Sequence, residues 1–462
     1  MSEKQYRLAL SRHIGAASVP CIAIGQEVKR GEQIAKIPVG KLGANLHASV
    51  SGIISAISED YIEITAEHEG TDTDSIGFPH QKDDFTYAMP RGFFYKGFPH
   101  QWDDFVPITG DTITQLIEAA GIVGMGGAGF PTAVKLSKPL GKNGRVILNA
   151  AECEPVLAQN ITRIKKEPGR VYQGLLYAMQ ATGAEFGVIA IKGKHKEAIR
   201  AFEGIVDSRV VSIHLLEDIY PSGEERAVIR EVCGVLLNTD QLPSAANCAV
   251  INAETALRIT EAVELRKPVI SKDITIAGQL TGGRSRVFLD VPIGTSVGTL
   301  IRAAGGMLEN HGEIIMGGPF TGESTGLEAP VTKISGGIMV TMPFLHEKRK
   351  LGLLVCACGP VETRMREIAA GMKAEVVGIE YCKQAIPLRG GLKCENPGKC
   401  PGQAEKVISL KKMGAQALLI GNCTDCTNTV MSVAPKLGLA VHHSTDGLLR
   451  AAGTGIIRRH NL

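Results

Sequence analysis

Five glycines fall within nine residues, Gly121 to Gly129, in the stretch GIVGMGGAGFPTAVK that runs to Lys135. Nothing else in the chain restricts the backbone so tightly. Without a Cβ, glycine lets successive amides face one way and come close to a ligand. A run of such amides at the start of a helix binds phosphate. Gly124, Gly126 and Gly129 satisfy GxGxxG, but that dinucleotide fingerprint needs a strand immediately before it. Residues 111–120, DTITQLIEAA, read instead as a capped amphipathic helix. The spacing therefore fits a phosphate loop of another fold, and equally a plain connecting turn.

Three later stretches bear on that choice. They are NAAECEP at 149–155, YPSGEERA at 220–227 and NCAVINAET at 247–255. With the glycine loop they make four motifs in order over about 130 residues, a more specific signal than one glycine run. The set resembles the flavin region of C subunits of Rnf-type electron-transport complexes. More distantly, it resembles the NADH-binding flavoprotein subunit of respiratory complex I. The resemblance implies non-covalent FMN, with its phosphate on the backbone of Gly124, Gly126, Gly127 and Gly129 and with Lys135 nearby. It implies ring contacts near Asn149, Glu152 and Glu154, and NADH entering past Tyr220, Gly223, Glu224 and Glu225. Asn247 and Asn252 belong to the same implied set. Residue by residue there is a blander reading. Pro155 suits a first helical turn, and acidic side chains favour helix N-termini. Cys153 has no visible partner for catalysis.

A chain of 462 residues exceeds a single core, so several domains are expected. A net charge of +3 with no basic tract argues against nucleic acid. No apolar run reaches membrane-spanning length, and MSEKQYRLAL lacks a signal peptide's apolar core. The expected setting is cytoplasmic. In a reducing compartment the eleven cysteines read as thiols, metal ligands or redox groups, and seven of them lie between Cys356 and Cys426.

The expected architecture is a multidomain α/β chain. Residues 1–75 show short-strand patterning and resemble the lipoyl-like barrel-sandwich module that begins Rnf C subunits. The candidate hairpin tip at 43–47 has no modifiable lysine, so the module reads as structural, with Cys21 a small core residue. Residues 76–106 hold a duplication, GFPHQKDDF at 77–85 and GFPHQWDDF at 97–105. It reads as a polar loop in preference to a metal site built on His80 and His100. Residues 107–262 read as a Rossmann-like FMN/NADH domain, and 263–345 resemble the β-grasp (SLBB) module of the same families. Residues 346–462 read as a cysteine-rich α/β domain whose four strands end in or beside Cys356-Ala357-Cys358, Cys382, Cys423 and His442-His443. Right-handed parallel crossovers bring such ends to one edge.

Rnf C subunits carry C-x₂-C-x₂-C-x₃-C-P runs for iron–sulfur clusters. None occurs here, so no ferredoxin-type clusters are expected. CTDC at the start of a helix reads as a redox dithiol, Cys423 and Cys426, because the helix dipole favours thiolate and C-x-x-C spacing allows resolution of a mixed disulfide. Asp425 opposes thiolate formation. The alternative is a zinc or nonstandard iron–sulfur site using Cys382, Cys394 and Cys400. An Rnf C-like front with this back resembles proline reductase-associated electron transfer proteins of amino-acid-fermenting anaerobes. The implied function is oxidation of NADH with electrons passed to a reductase, namely proline reductase subunits. Cobalamin reductases share the front, and a scaffold without flavin is the non-enzymatic alternative.

Overall fold

A computed structural model describes residues 5–66, 108–388, 390–421 and 424–455, with only the backbone of 424–428. The duplicated segment lies outside the described residues, as does Cys423.

The first unit comprises β1 (Gln5–Ala9), β2 (Val19–Pro20), β3 (Glu27–Val28), β4 (Gln33–Lys36), β5 (Leu46–His47), β6 (Gly52–Ile57) and β7 (Tyr61–Ala66). They form two small sheets, ordered β1-β7-β6-β3 and β2-β4-β5. Period-two alternation turns Leu8, Ile54, Ile62 and Ile64 inward onto Ile34, all fully buried. The expected tip at 43–47 is no free hairpin. Leu46 and His47 are buried strand residues, and Asn45 Nδ2 donates to the Glu118 carbonyl of the next unit at 3.0 Å. Cys21 corrects the sequence reading: it is exposed, outside the core.

The second unit follows with α1 (Gly110–Ala119), α2 (Thr132–Leu136), β8 (Arg145–Ala150), α3 (Gln159–Lys166), α4 (Pro168–Thr182), β9 (Phe186–Lys192), α5 (Lys196–Glu203), β10 (Val211–Leu216), α6 (Glu225–Cys233), β11 (Cys248–Asn252) and α7 (Ala253–Leu265). The helix expected before the glycines is α1, capped by the Thr109 side chain on the Thr112 amide, with Asp111 in its first turn. The four strands are parallel in the order β10-β9-β8-β11. Val146, Ile147 and Leu148 of β8 are buried in succession, as expected where helices cover both faces. The chain runs outward from β8 to β10, then returns to the other side of β8 as β11. This reversal is a topological switch point, which opens a crevice at the carboxyl ends of β8 and β11.

The third unit holds β12 (Ser271–Gly278), β13 (Ser285–Pro292), α8 (Val297–Ala303), β14 (Ile314–Met316), β15 (Glu323–Thr325) and β16 (Gly337–Val340). Its mixed sheet runs β13-β12-β16-β14-β15. The fourth unit holds β17 (Leu351–Val355), α9 (Glu362–Gly371), β18 (Val376–Tyr381), β19 (Ala385–Leu388), β20 (Gly391–Cys394), α10 (Ala404–Lys412), β21 (Ala417–Ile420), α11 (Thr424–Val433), β22 (Ala440–His443) and α12 (Asp446–Ala451). Its parallel sheet runs β18-β17-β21-β22 and brings the four carboxyl ends to one edge, as the strand pattern implies. Leu448 of α12 packs on Ala277, Ile315 and Met339, which seats this unit on the third.

A buried charge network joins the second and third units. Arg163 of α3 grips Asp273 through two nitrogens at 2.8 and 2.7 Å and reaches Asp290 at 2.6 Å. Arg258 of α7 contacts Glu261, Asp290 and Glu254. Lys272 pairs with Glu254, and Lys267 with Glu261. Four cations therefore meet four anions, in an interior where an unpaired charge costs several kcal/mol.

Candidate functional site

The glycine loop is held from behind. Gly124 N donates to the Phe130 carbonyl at 2.9 Å, which closes the loop on itself. Thr255 of α7 clamps it from both sides, accepting from Met125 N at 3.0 Å and donating to Val123 O at 3.3 Å. Asn252 caps α7 through its side-chain oxygen on Glu254 N, and its amide lies so near Gly126 that a Cβ there would fall 2.4 Å from it. The motif at 247–255 is thus the bracket on which the loop at 124–129 rests.

Asn252 and Asn149 are direct partners at the carboxyl ends of β11 and β8. The switch-point crevice therefore opens between them, beside the glycines. It widens into a cavity of about 1230 Å³. Single-ligand pockets commonly span about 300–1,000 Å³, so this space has room for two ligands. Gly126, Gly127 and Ala128 form one wall; Asn149, Glu152, Glu154, Tyr220, Gly223, Glu224 and Asn252 line the rest from the second unit. Gly127 differs from its neighbours: a Cβ built there meets nothing within 4 Å.

The two acidic residues of the motif at 149–155 have structural work. Glu152 accepts from the Asn160 and Ile161 amides at 2.8 and 3.2 Å, holding the start of α3. Glu154 accepts from Phe320 N, Thr321 N and Thr321 Oγ1 at 2.8, 3.0 and 2.7 Å, tying the third unit to the cavity. Burial raises the Glu152 carboxyl and pushes Glu154 up to about 7. Burial also raises Glu224, which caps α6 on Ala227 N, and pushes the Cys153 thiol up to about 11. Tyr220 stacks on Phe320 at 3.6 Å between ring centroids and donates to the Cys358 carbonyl at 2.6 Å.

Glu154 carries a pH prediction. Its folded carboxyl titrates near 7, against 4.5 ordinarily. Between those values the folded protein keeps a proton that the unfolded chain has lost, so stability falls as pH rises. This contribution is full below 4.5 and gone above 7. Glu154→Gln, neutral at every pH, is expected to flatten the fall in unfolding temperature across that window. A slope equal to the parent's contradicts the assignment.

Other expected residues sit elsewhere. Asn247 is at the opposite, amino end of β11, in a left-handed turn with φ 50°, bonded to Gly141 N and Lys142 O. Lys135 pairs with Glu225 at 2.7 Å and with the Val250 carbonyl, and neither charged residue lines the cavity. Gly124 and Gly129 shape the loop without joining the cavity lining. Cys423 is outside the described residues, and of Cys426 only the backbone, in α11, is described. Among the described residues no three His, Cys, Asp or Glu side chains are arranged to hold a metal ion, the set Cys382, Cys394 and Cys400 included.

Sequence reading missed two contributors, Arg12 and the loop at 316–322, and did not place Cys358 and Cys394 at this cavity. Arg12 of the first unit lines the cavity beside the glycine wall. The loop MGGPFTG at 316–322 brings Gly317, Gly318 and Thr321; its paired glycines were the available signal, since a Cβ at Gly318 would fall 2.6 Å from Glu154. Cys358 and Cys394 of the fourth unit form the facing wall.

Comparison with known proteins fits this layout. Residues 117–261 match the Nuo51 FMN-binding domain, and residues 1–73 match the RnfC barrel sandwich hybrid domain. Cobalamin reductase PduS of Citrobacter freundii is 38% identical over 236 residues, 51% of this chain and 51% of that protein. The chain thus spans about half the length of that relative. The C subunit of the Na(+)-translocating ferredoxin:NAD(+) oxidoreductase complex of Acetobacterium woodii is 30% identical over 343 residues, 72% of each chain. A crystal structure of an air-oxidized NAD+-reducing [NiFe]-hydrogenase overlaps 50% of this chain and 46% of its own, at 24% identity and a TM-score of 0.43. No helix among the described residues is long and apolar enough to cross a membrane. The chain, multidomain α/β with a barrel-sandwich hybrid module ahead of an FMN-binding-type domain, belongs to the family of Rnf-complex C subunits.

Proposed function

We propose that the protein is an electron-transfer flavoprotein that oxidises NADH and passes the electrons to a disulfide acceptor. The observation that carries this reading is convergence. Motifs separated by about 130 residues line one cavity at a switch point, and two cysteines of another unit face them. The open space at Gly127, which a side chain would fill, fits a backbone cradle for the FMN phosphate. Arg12 adds positive charge to that wall. Bound FMN would supply a two-electron store able to exchange hydride with nicotinamide.

The chain's own residues do the rest. Gly126, Gly127 and Ala128 would hold the phosphate, while Thr255 and Asn252 keep the loop in shape. Asn149 donates to the Gly223 carbonyl at 2.9 Å and so fixes the cavity floor that would meet the flavin ring. Glu152 and Glu154 hold that floor to α3 and to the third unit. Tyr220, stacked on Phe320, links that floor to the Cys358 carbonyl of the fourth unit. The β-grasp identity of the third unit belongs to this proposal, and so does an outlet through Cys423 and Cys426 to a reductase of the D-proline reductase type.

Reconstitution with FMN, followed by anaerobic titration with NADH, is expected to give visible flavin absorbance that bleaches. Protein that shows neither overturns the reading. The identity to cobalamin reductases supports a second reading, cobalamin as acceptor. NADH oxidation that depends on added cobalamin and is unaffected by disulfide acceptors would favour it.

A further inference from the structure

The fourth unit gathers thiols where its strands end, and two of them are joined more closely than the rest. Cys382 follows β18 and Cys400 precedes α10. The side chain of Gln403, fully buried, places one amide nitrogen 3.4 Å from the Cys382 sulfur and 3.5 Å from the Cys400 sulfur. The two thiols also hydrogen-bond each other, which together with burial holds the proton on Cys382. Cysteines kept only as small core residues have no use for a buried amide between their sulfurs, because an amide away from water needs strong partners.

The pair also brackets a segment that lines the cavity. Residues 383–399 contain the β19–β20 hairpin, whose Leu392, Lys393 and Cys394 line the cavity along with Pro397. Arg226 of α6 donates to the Cys394 and Glu395 carbonyls, both at 2.5 Å, and Arg230 reaches Asn396 and Pro397. Gln384 then links wall to pair. It accepts from the Cys394 thiol at 3.3 Å and donates to the carbonyl of Lys399, next to Cys400, at 3.1 Å.

We propose that Cys382 and Cys400 form a reversible disulfide that accepts electrons leaving the cavity, resting on the flavoprotein reading above. In the accepting step the S–S bond breaks, taking up two electrons and two protons to give two thiols. The electrons come from a reduced flavin, which is oxidised; one proton comes from that donor and one from solvent. Thiol–disulfide exchange with the acceptor disulfide then breaks that bond, reduces the acceptor to two thiols and returns the pair to the disulfide, which links the two ends of the hairpin segment.

The test has two arms. The full chain without flavin is equilibrated in dithiothreitol redox buffers, alkylated and mapped by mass spectrometry. A disulfide between Cys382 and Cys400 is expected to titrate as one two-electron couple, a tenfold change for about 30 mV. Recovery of both as free thiols, pairing of either elsewhere, or stoichiometric zinc lost in Cys400→Ser would overturn the proposal. In the second arm, FMN-loaded wild type and Cys382→Ser are compared for NADH bleaching and for reduction of a small aromatic disulfide. The ratio of acceptor reduction to bleaching is expected to fall at least tenfold. An unchanged ratio defeats the electron route. If Cys382→Ser does not fold, Cys400→Ser at the half-buried partner gives the same readout. Wild type that is not bleached by NADH defeats the flavoprotein reading and the electron route with it, while the mapping arm still decides the disulfide.

Discussion

Gly127→Val is expected to abolish FMN binding, weakening it by at least about 100-fold, or about 2.7 kcal/mol. The flavin-free variant is expected to unfold within about 2 °C of the parent, as for a surface change that breaks nothing. Gly127 lines the cavity, is not in the left-handed region and has open space where a Cβ would go. The protein tolerates a side chain there, but a ligand phosphate approaching the amides does not. Gly126→Ala is the instructive contrast. Its Cβ would press on the Asn252 side chain, which caps α7, so that variant also strains the fold. Isothermal titration with FMN and thermal unfolding of the flavin-free proteins separate the two effects. Normal FMN affinity in Gly127→Val would remove the glycine wall from the site.

The second large effect is expected at Asp273. This carboxylate is fully buried and meets Arg163 through both oxygens, with Arg258 at 3.5 Å. Asp273→Ala leaves two buried guanidinium groups one anion short. Breaking such a network from one side costs about 3–5 kcal/mol. The loss is expected in the urea transition that melts the second and third units, measured by far-UV circular dichroism. An exposed pair serves as control. Lys165 and Glu197 lie 3.1 Å apart with side chains 44% and 75% exposed, and Lys165→Ala is expected to cost less than about 1 kcal/mol. Equal effects at the two positions would refute the idea that burial sets the cost. The consequence reaches function, because the same two units share the cavity wall through Glu154 and Thr321.

Much of this was legible in the chain itself. A loop dense in glycine announces backbone that must turn tightly or meet a ligand closely, since that property is local to each residue. Strand and helix types followed from periodicity, and β17, β18, β21 and β22 could be read with their cysteine- and histidine-bearing ends because a parallel sheet repeats strand, helix, strand. The order of motifs was enough to point to the family. What each motif residue does was not written locally. Glu152 and Glu154 have the same chemistry two positions apart, yet one caps α3 and the other reaches Thr321 in a different unit. Asn247 and Asn252 stand five residues apart, which in a strand places them at opposite ends of β11, and only the paired sheet decides which end faces the cavity. Arg12, Gly318 and Cys394 enter the site from three units whose docking depends on Lys333, Arg163 and Arg226, long side chains that bridge units distant in sequence. Hydrogen bonds and ion pairs across such separations leave no periodic trace. The sequence by itself determined the elements and the glycine loop. The tertiary structure decided which carboxylates, cations and thiols came to share one cavity, because that is set by how the units bury their charges against one another.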